Sequence, residues 1–333
     1  MCISVEKPGL LSLVQDLGRF GYQKQGMVVS GAMDAFAFRL ANLLVGNPEN
    51  APALELNLFG PSLRFQEDTL FALAGANLSP TLNGKPVPLH RPIFVRKGAL
   101  LEFGSPVQGA RTYLAVAGGV VVPLVMGSAA TYARAGLGGW QGRALQKGDV
   151  LPVHSLSSEQ LLYWQQKCAP QESFVAANWS VSPDLLPRYE EHPTVRVIPG
   201  PEYGLFSEKA QEAFWQSDFL VTSASDRMGY RLEVLALQLR QPGELLSSAV
   251  TFGTVQVPAN GNPIILMAEH QTTGGYPRIG QVISADLPVL AQVRPGKAIR
   301  FRQVSLAQAQ ELYYQQQKTL EHLTRVLYLQ AKR

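Results

Sequence analysis

Cysteine is nearly absent from this chain: only Cys2 and Cys168 occur in 333 residues. Two thiols, one of them terminal, make no disulfide framework, so a reducing compartment is expected. Long apolar runs are missing too. No stretch approaches the roughly 18 residues that a membrane span needs. The N-terminus has no basic segment followed by an uninterrupted apolar one, so no signal peptide is expected. These absences together predict a cytoplasmic protein with no membrane association. Charge is sparse, at 16% of residues, and the formal net charge is +4. Lysines and arginines form neither a run nor a stripe, so no nucleic-acid partner is expected.

Several chemical fingerprints are missing as well. There is no Gly-x-Gly-x-x-Gly after a strand and no Gly-x-x-x-x-Gly-Lys-Ser/Thr, which removes the two common nucleotide cradles. A phosphate could still rest on the amides of Gly118-Gly119 or of the Gly136–Arg143 loop, although β turns also demand such glycines. His90, His154, His192, His270 and His322 lack paired-ligand spacing, so no metal is expected. Gly-x-Ser-x-Gly is absent, and so is a Met-Lys biotin-attachment neighbourhood.

Glycine (30) and proline (23) are plentiful, and most sit between short apolar runs. That spacing predicts many turns and short strands. The candidates are Ser4–Glu6, Thr69–Ala74, Ile93–Val95, Leu100–Phe103, Thr112–Ala117, Val195–Ile198, Phe219–Thr222, Thr254–Val257, Pro263–Ala268 and Ile299–Val304. Asn83-Gly84 and Asn260-Gly261 suit tight turns with positive φ. Helices are fewer. Asp34 can cap one running to about Val45. Ser157 with Gln160, and Ser305 with Gln308, have capping-box spacing, and Ser207 can start a helix to about Gln216. In the last helix Leu312, Leu320, Leu323 and Leu327 can pack on the body or on a neighbouring protein. The length suggests about two domains, and the Pro-, Ser- and Asn-rich stretch 168–193 suits their connection. The expected division is 1–180, 181–304 and a helical tail, 305–333.

Two turns are rich in ligand-binding chemistry. Glu269-His270-Gln271-Thr272-Thr273-Gly274-Gly275-Tyr276-Pro277 follows the apolar run 264–268. His270 transfers protons near neutral pH, Gln271 donates and accepts, Thr272 and Thr273 bring hydroxyls, and Gly274 and Gly275 let backbone approach a ligand. Such a set can recognise an amide or carboxylate and stabilise a developing oxyanion. It also suits a turn whose side chains cap free backbone groups. In Ser30-Gly31-Ala32-Met33-Asp34, Asp34 is explained as a helix cap, whereas Ser30 and Gly31 are left over for an anion. Asn42 lies two turns beyond Asp34. Arg19 and Arg227 can each fork onto a carboxylate or phosphate, or pair with the nearby Asp16 and Asp226.

Six blocks in order carry a resemblance: Gln15–Arg19, Ser30–Asp34, Ala41–Asn47, Tyr113–Gly119, Ser225–Gly229 and Gln271–Pro277. The chain resembles the carboxyltransferase-like C-component family. That family includes the C component of bacterial 5-oxoprolinase, the anti-inhibitor partner of a sporulation kinase inhibitor, and the second half of the urea amidolyase carboxyltransferase domain. The resemblance implies a mainly β fold of two cyclophilin-like β-barrel domains, with a few short helices and a C-terminal helix. It implies partners of A and B type in an oxoprolinase complex. With them it implies ATP-dependent opening of 5-oxo-L-proline to L-glutamate, the owner of the ATP site being open. Its alternatives are a biotin-dependent carboxyltransferase component acting on urea or another amide, with biotin arriving on another domain, and a non-catalytic regulator that binds a B component resembling a kinase inhibitor. Under the leading reading His270, Gln271, Thr272 and Thr273 do the chemistry. Arg19 and Arg227 hold a carboxylate or phosphate, Gly274 and Gly275 admit the substrate, and Ser30, Gly31, Asp34 and Asn42 form an opposite wall. Two places depart from the family pattern: Glu269-His270 stands where Ala-Asp is common, and Gly127-Ser128-Ala129-Ala130-Thr131 where Gly-Ser-x-Ser-Thr is common.

Overall fold

The computed structural model describes residues 2–241, 243 and 245–331, the last without its side chain. Lys332 and Arg333, the end of the expected tail, lie outside the described residues. Two compact units emerge. One comprises residues 1–18, 34–187 and 319–333, and the other residues 19–33 and 188–318.

The first unit is built from two six-stranded sheets. Leu63 and Phe65 of the strand Ser62–Phe65 and Leu101 of Leu100–Glu102 come from one sheet. Leu54 and Leu56 of Ala53–Asn57, Phe71 and Leu73 of Thr69–Asn77, and Leu114 and Val116 of Gln108–Val116 come from the other. All join one buried apolar cluster, so the two sheets face each other as a sandwich. The resemblance led to the expectation of a barrel here, and the structure corrects it. Neither sheet closes, and among the described residues the one closed barrel belongs to the other unit. The sheet ends explain why. Lys85–Pro86 and Val150–Pro152 each carry a proline, which has no N–H to donate to a next strand. On the second sheet Phe174–Ala176 ends the ladder after three residues. That last strand pairs with Ile93–Val95, so part of the proline-rich 168–193 stretch is ordered sheet.

The second unit is a closed seven-stranded barrel. It includes Thr194–Pro199, Asp218–Val221, Gly229–Glu233, Thr254–Gln256, Ile264–Leu266, Arg278–Val282 and Ala298–Gln303. Val195, Val197, Phe219, Tyr230, Val255, Ile265, Ile279 and Phe301 of its strands join one buried apolar cluster with Phe214 of the helix Glu208–Gln216. A separate two-stranded ribbon pairs Ser248–Ala249 with Thr273–Gly274.

The capping signals are realised. Asp34 accepts from the Ala37 amide to open Ala35–Leu44. Ser157 and Gln160 form a capping box, Ser207 caps Glu208–Gln216, and Ser305 and Gln308 bond reciprocally before Leu306–Ala331. In that long helix Leu320, Leu323 and Leu327 are buried within the chain itself, and Leu312 packs beside Ile283 and Ala309. No helix among the described residues is long and apolar enough to cross a membrane.

Candidate functional site

The polar segment 269–277 lies on the barrel unit, and its position follows from the strand ladder. Gly229–Glu233 pairs with Ile264–Leu266, and the ladder runs on past both strands. Met267 N donates to Met228 O, and Glu269 N donates to Arg227 O (2.8 Å). Asp226 sets the approach, its Oδ1 accepting from the amides of Met228 (2.9 Å) and Gly229 (3.1 Å), the usual aspartate turn. Arg227 and Glu269 are thereby placed side by side. Arg227 Nε donates to Glu269 Oε1 at 2.6 Å, with both side chains buried.

The same pair reaches the turn at residues 30 and 31. Arg227 Nη2 donates to Gly31 O at 2.6 Å, and Ser30 Oγ donates to Glu269 Oε1 at 3.4 Å. Ser30 and Gly31 have φ of 58° and 88°. A left-handed serine costs on the order of 1 kcal/mol, and the Glu269 and Arg227 contacts hold it there. Arg19 is wholly buried, and its amide donates to Val29 O (2.8 Å) at the base of this turn. The structure thus gathers Arg19, Ser30, Gly31, Arg227 and Glu269 in one unit. Arg227 meets a carboxylate of the chain itself, Glu269. Asp16 accepts from Gly18 N, Ser128 Oγ and Ala129 N.

His270 follows Glu269 and is buried. Its Nδ1 lies 2.5 Å from the Gln271 carbonyl oxygen. A carbonyl accepts only, so Nδ1 carries the proton and Nε2 presents a lone pair. Burial lowers the His270 pKa, although the Gln271 carbonyl opposes the shift, so the ring is neutral at pH 7. Gln271 and Thr272 are half-buried, and Thr273 is exposed on the ribbon. The backbone of the segment is secured independently of these side chains: Val250 N donates to Thr272 O (3.2 Å) and Val257 N to Pro277 O (2.9 Å). Arg278, next in sequence, holds Glu202 through Nε and Nη2 and donates from Nη1 to Ala249 O. That bond pins the ribbon to the barrel wall.

Asp34 and Asn42 belong to the sandwich unit, and their bonds there are structural. Asp34 caps its helix, and its amide donates to the buried Tyr113 hydroxyl, which in turn donates to Glu55. Asn42 donates to Ala51 O (2.9 Å) and accepts from Asn47, which also donates to Val116 O and accepts from Gly118 N. Sequence reasoning gave Glu269 no place among the site residues and passed over Gln256, a buried glutamine on a barrel strand. The retained carboxylate ahead of Gln271 was the available signal for Glu269. Gln256 stands alone between Val255 and Val257 and offered none.

The chain has clear relatives. Residues 25–303 match the family described as carboxyltransferase domain, subdomain A and B. The chain is 41% identical to the C component of 5-oxoprolinase from Haemophilus influenzae, over 94% of this chain and 95% of that protein. It is 39% identical to the Escherichia coli protein of the same name, over 96% and 97%. Among solved structures, the urea amidolyase of K. lactis superposes with a TM-score of 0.87 at 31% identity, covering 97% of this chain but 20% of that much longer one. The chain therefore belongs to the carboxyltransferase family of subdomain A and B proteins, the domain shared by the C component of 5-oxoprolinase and urea amidolyase.

Proposed function

We propose that this chain is the C component of a multi-component, ATP-dependent 5-oxoprolinase, and that the segment 269–277 handles the lactam of 5-oxo-L-proline as it opens to L-glutamate. What carries this reading is reciprocal length. The match to the C components of two 5-oxoprolinases runs through almost the whole of each chain. The site chemistry is compatible. A neutral imidazole with Nε2 available can take a proton from the attacking nucleophile. Gln271, Thr272 and Thr273 offer donors to an amide oxygen that gains charge. Arg227 and Glu269 act as positioning residues, fixing the strand end from which His270 projects.

The donor set suits an amide or ureido group. It does not fit a triphosphate, because Arg227 already forks onto Glu269 and Gly31. ATP is therefore assigned to the assembly, with components of A and B type as partners. A second reading has its own support in the family match and in the fold shared with urea amidolyase: the chain is a biotin-dependent carboxyltransferase component acting on urea or another amide. A ureido ring fits the same donors, and carboxybiotin would supply the carboxyl group.

The test is reconstitution. The purified chain is mixed with its candidate A and B partners, and glutamate formed from 5-oxoproline is measured with and without ATP. Production that needs both this chain and ATP is the expected result. An assembled complex that yields no glutamate but carboxylates urea would replace the first reading with the second.

A further inference from the structure

Gln256 closes the barrel strand Thr254–Gln256. Val255 belongs to the barrel core, so by strand alternation Gln256 points outward. Outward residues on a barrel are normally wet, yet Gln256 is 3% exposed. Gly274 of the ribbon lies against it. Its Oε1 is buried with no hydrogen-bond partner among the described residues. A buried amide oxygen left unpaired is costly, and a fold needing only to fill this space would do better with leucine or methionine. Such an atom in a native structure calls for an explanation, and a group from outside the chain that completes it is one.

Gly274 gives an independent sign. Its φ is not in the left-handed region, so backbone conformation does not demand glycine there. Space does. A Cβ at Gly274 would stand 3.1 Å from Gln256 Oε1 and 3.6 Å from Gln271 Nε2. Glycine at this position keeps a methyl from crowding two carboxamides, one from the barrel wall and one from the segment 269–277.

We propose that Gln256, with Gln271 across Gly274, reads the edge of a cis amide. A lactam, a urea or a primary amide shows N–H and C=O on one edge. A carboxamide pairs with that edge through two antiparallel hydrogen bonds, whichever way round it is turned. A linear secondary amide is trans and shows the two groups on opposite edges, so it is refused. This substrate class rests on the amide-handling reading of the site and sharpens it.

The experiment is titration calorimetry on the chain assembled with its partners, using 5-oxo-L-proline, urea, and the lactone in which oxygen replaces the ring N–H. Wild type should prefer the lactam over the lactone by at least about tenfold. Gln256→Met should bring that preference close to one while raising the Tm by a few degrees, because a buried unpaired oxygen has gone. Gly274→Ala keeps Gln256 but sets a methyl against its Oε1, and should weaken lactam and urea alike. If Gln256→Met lowers the Tm and leaves the preference intact, Gln256 is structural and the inference falls while the amide reading stands. If wild type binds neither lactam nor urea, the amide reading falls and takes the inference with it.

Discussion

In the sandwich unit the buried Asp16 accepts from Gly18, Ser128 and Ala129, and Asn47 joins Asn42, Val116 and Gly118. In the barrel unit the buried Gln256 presents an oxygen with no partner among the described residues, a few ångströms from a segment that carries hydroxyl and amide side chains. Both regions are glycine-jointed turns with polar residues, and at the level of sequence they look alike. What separates the Asp16 and Asn47 clusters from Gln256 is that their polar atoms are satisfied from within, while Gln15 Oε1, beside Asp16, shares the state of Gln256 among the described residues. Saturated polar clusters hold a fold together. An unsaturated one needs a further explanation, and among the described residues only at Gln256 does it lie against the segment that carries the proposed amide chemistry.

Breaking the saturated groups should give the largest effects. Within the barrel unit, Arg227→Met leaves Glu269 buried beside Ser30 with its ion pair gone, and stability should fall by about 3–5 kcal/mol. Arg227→Met with Glu269→Leu should recover part of that loss, since no buried charge remains. Urea unfolding of the two variants checks this. In the sandwich, Asp16→Ala strands the amides of Gly18 and Ala129 and should cost about 3 kcal/mol.

Local features of both units were legible in the sequence. The caps at Asp34, Ser157, Ser207 and Ser305 fell where the residue pattern put them, because a cap depends on neighbours three residues away. The strands were legible from short apolar runs between turns. Barrel closure was not, because it depends on which distant strand ends find partners, and the prolines at 86 and 152 acquire meaning only once those strands are edges. The site divided in the same way. His270 to Gly275 stand out in the sequence as a candidate by their side-chain types alone, whereas the Arg227–Glu269 pair spans 42 residues. For Arg19 and Arg227 the adjacent aspartates were the local candidates; Asp16 accepts from Ser128 Oγ and two backbone amides, Asp226 accepts from two backbone amides, and Arg227 reaches the distant Glu269 and Gly31.

Two histidines carry the comparison into pH. His90, in the sandwich, has its pKa lowered to about 4 by burial, and burial lowers His270 in the barrel as well. A histidine with a depressed folded pKa leaves the unfolded chain binding more protons. Stability is therefore full above about pH 6.5 and falls as pH drops towards 4, by up to about 3 kcal/mol from His90. His90→Asn should flatten this slope, since asparagine tolerates the positive φ of 60° at that position. The His270 shift has a functional reading instead. Activity of the assembled complex should hold to lower pH than an ordinary imidazole would allow, and His270→Gln should remove that limb of the profile.

The smallest change in stability tests the contrast most sharply. Thr273 is exposed, and its backbone is already held in the ribbon with Ala249. Thr273→Val keeps the β-branched shape that a strand favours and removes only the hydroxyl. Stability should move by no more than about 0.5 kcal/mol. If the hydroxyl meets the substrate oxygen, glutamate formation by the assembled complex should fall at least about tenfold, the scale of a donor to a developing oxyanion. Unchanged activity at unchanged stability would mean that the exposed hydroxyl meets water and nothing else. The candidate site would then shrink to Gln256, Gln271 and the imidazole of His270.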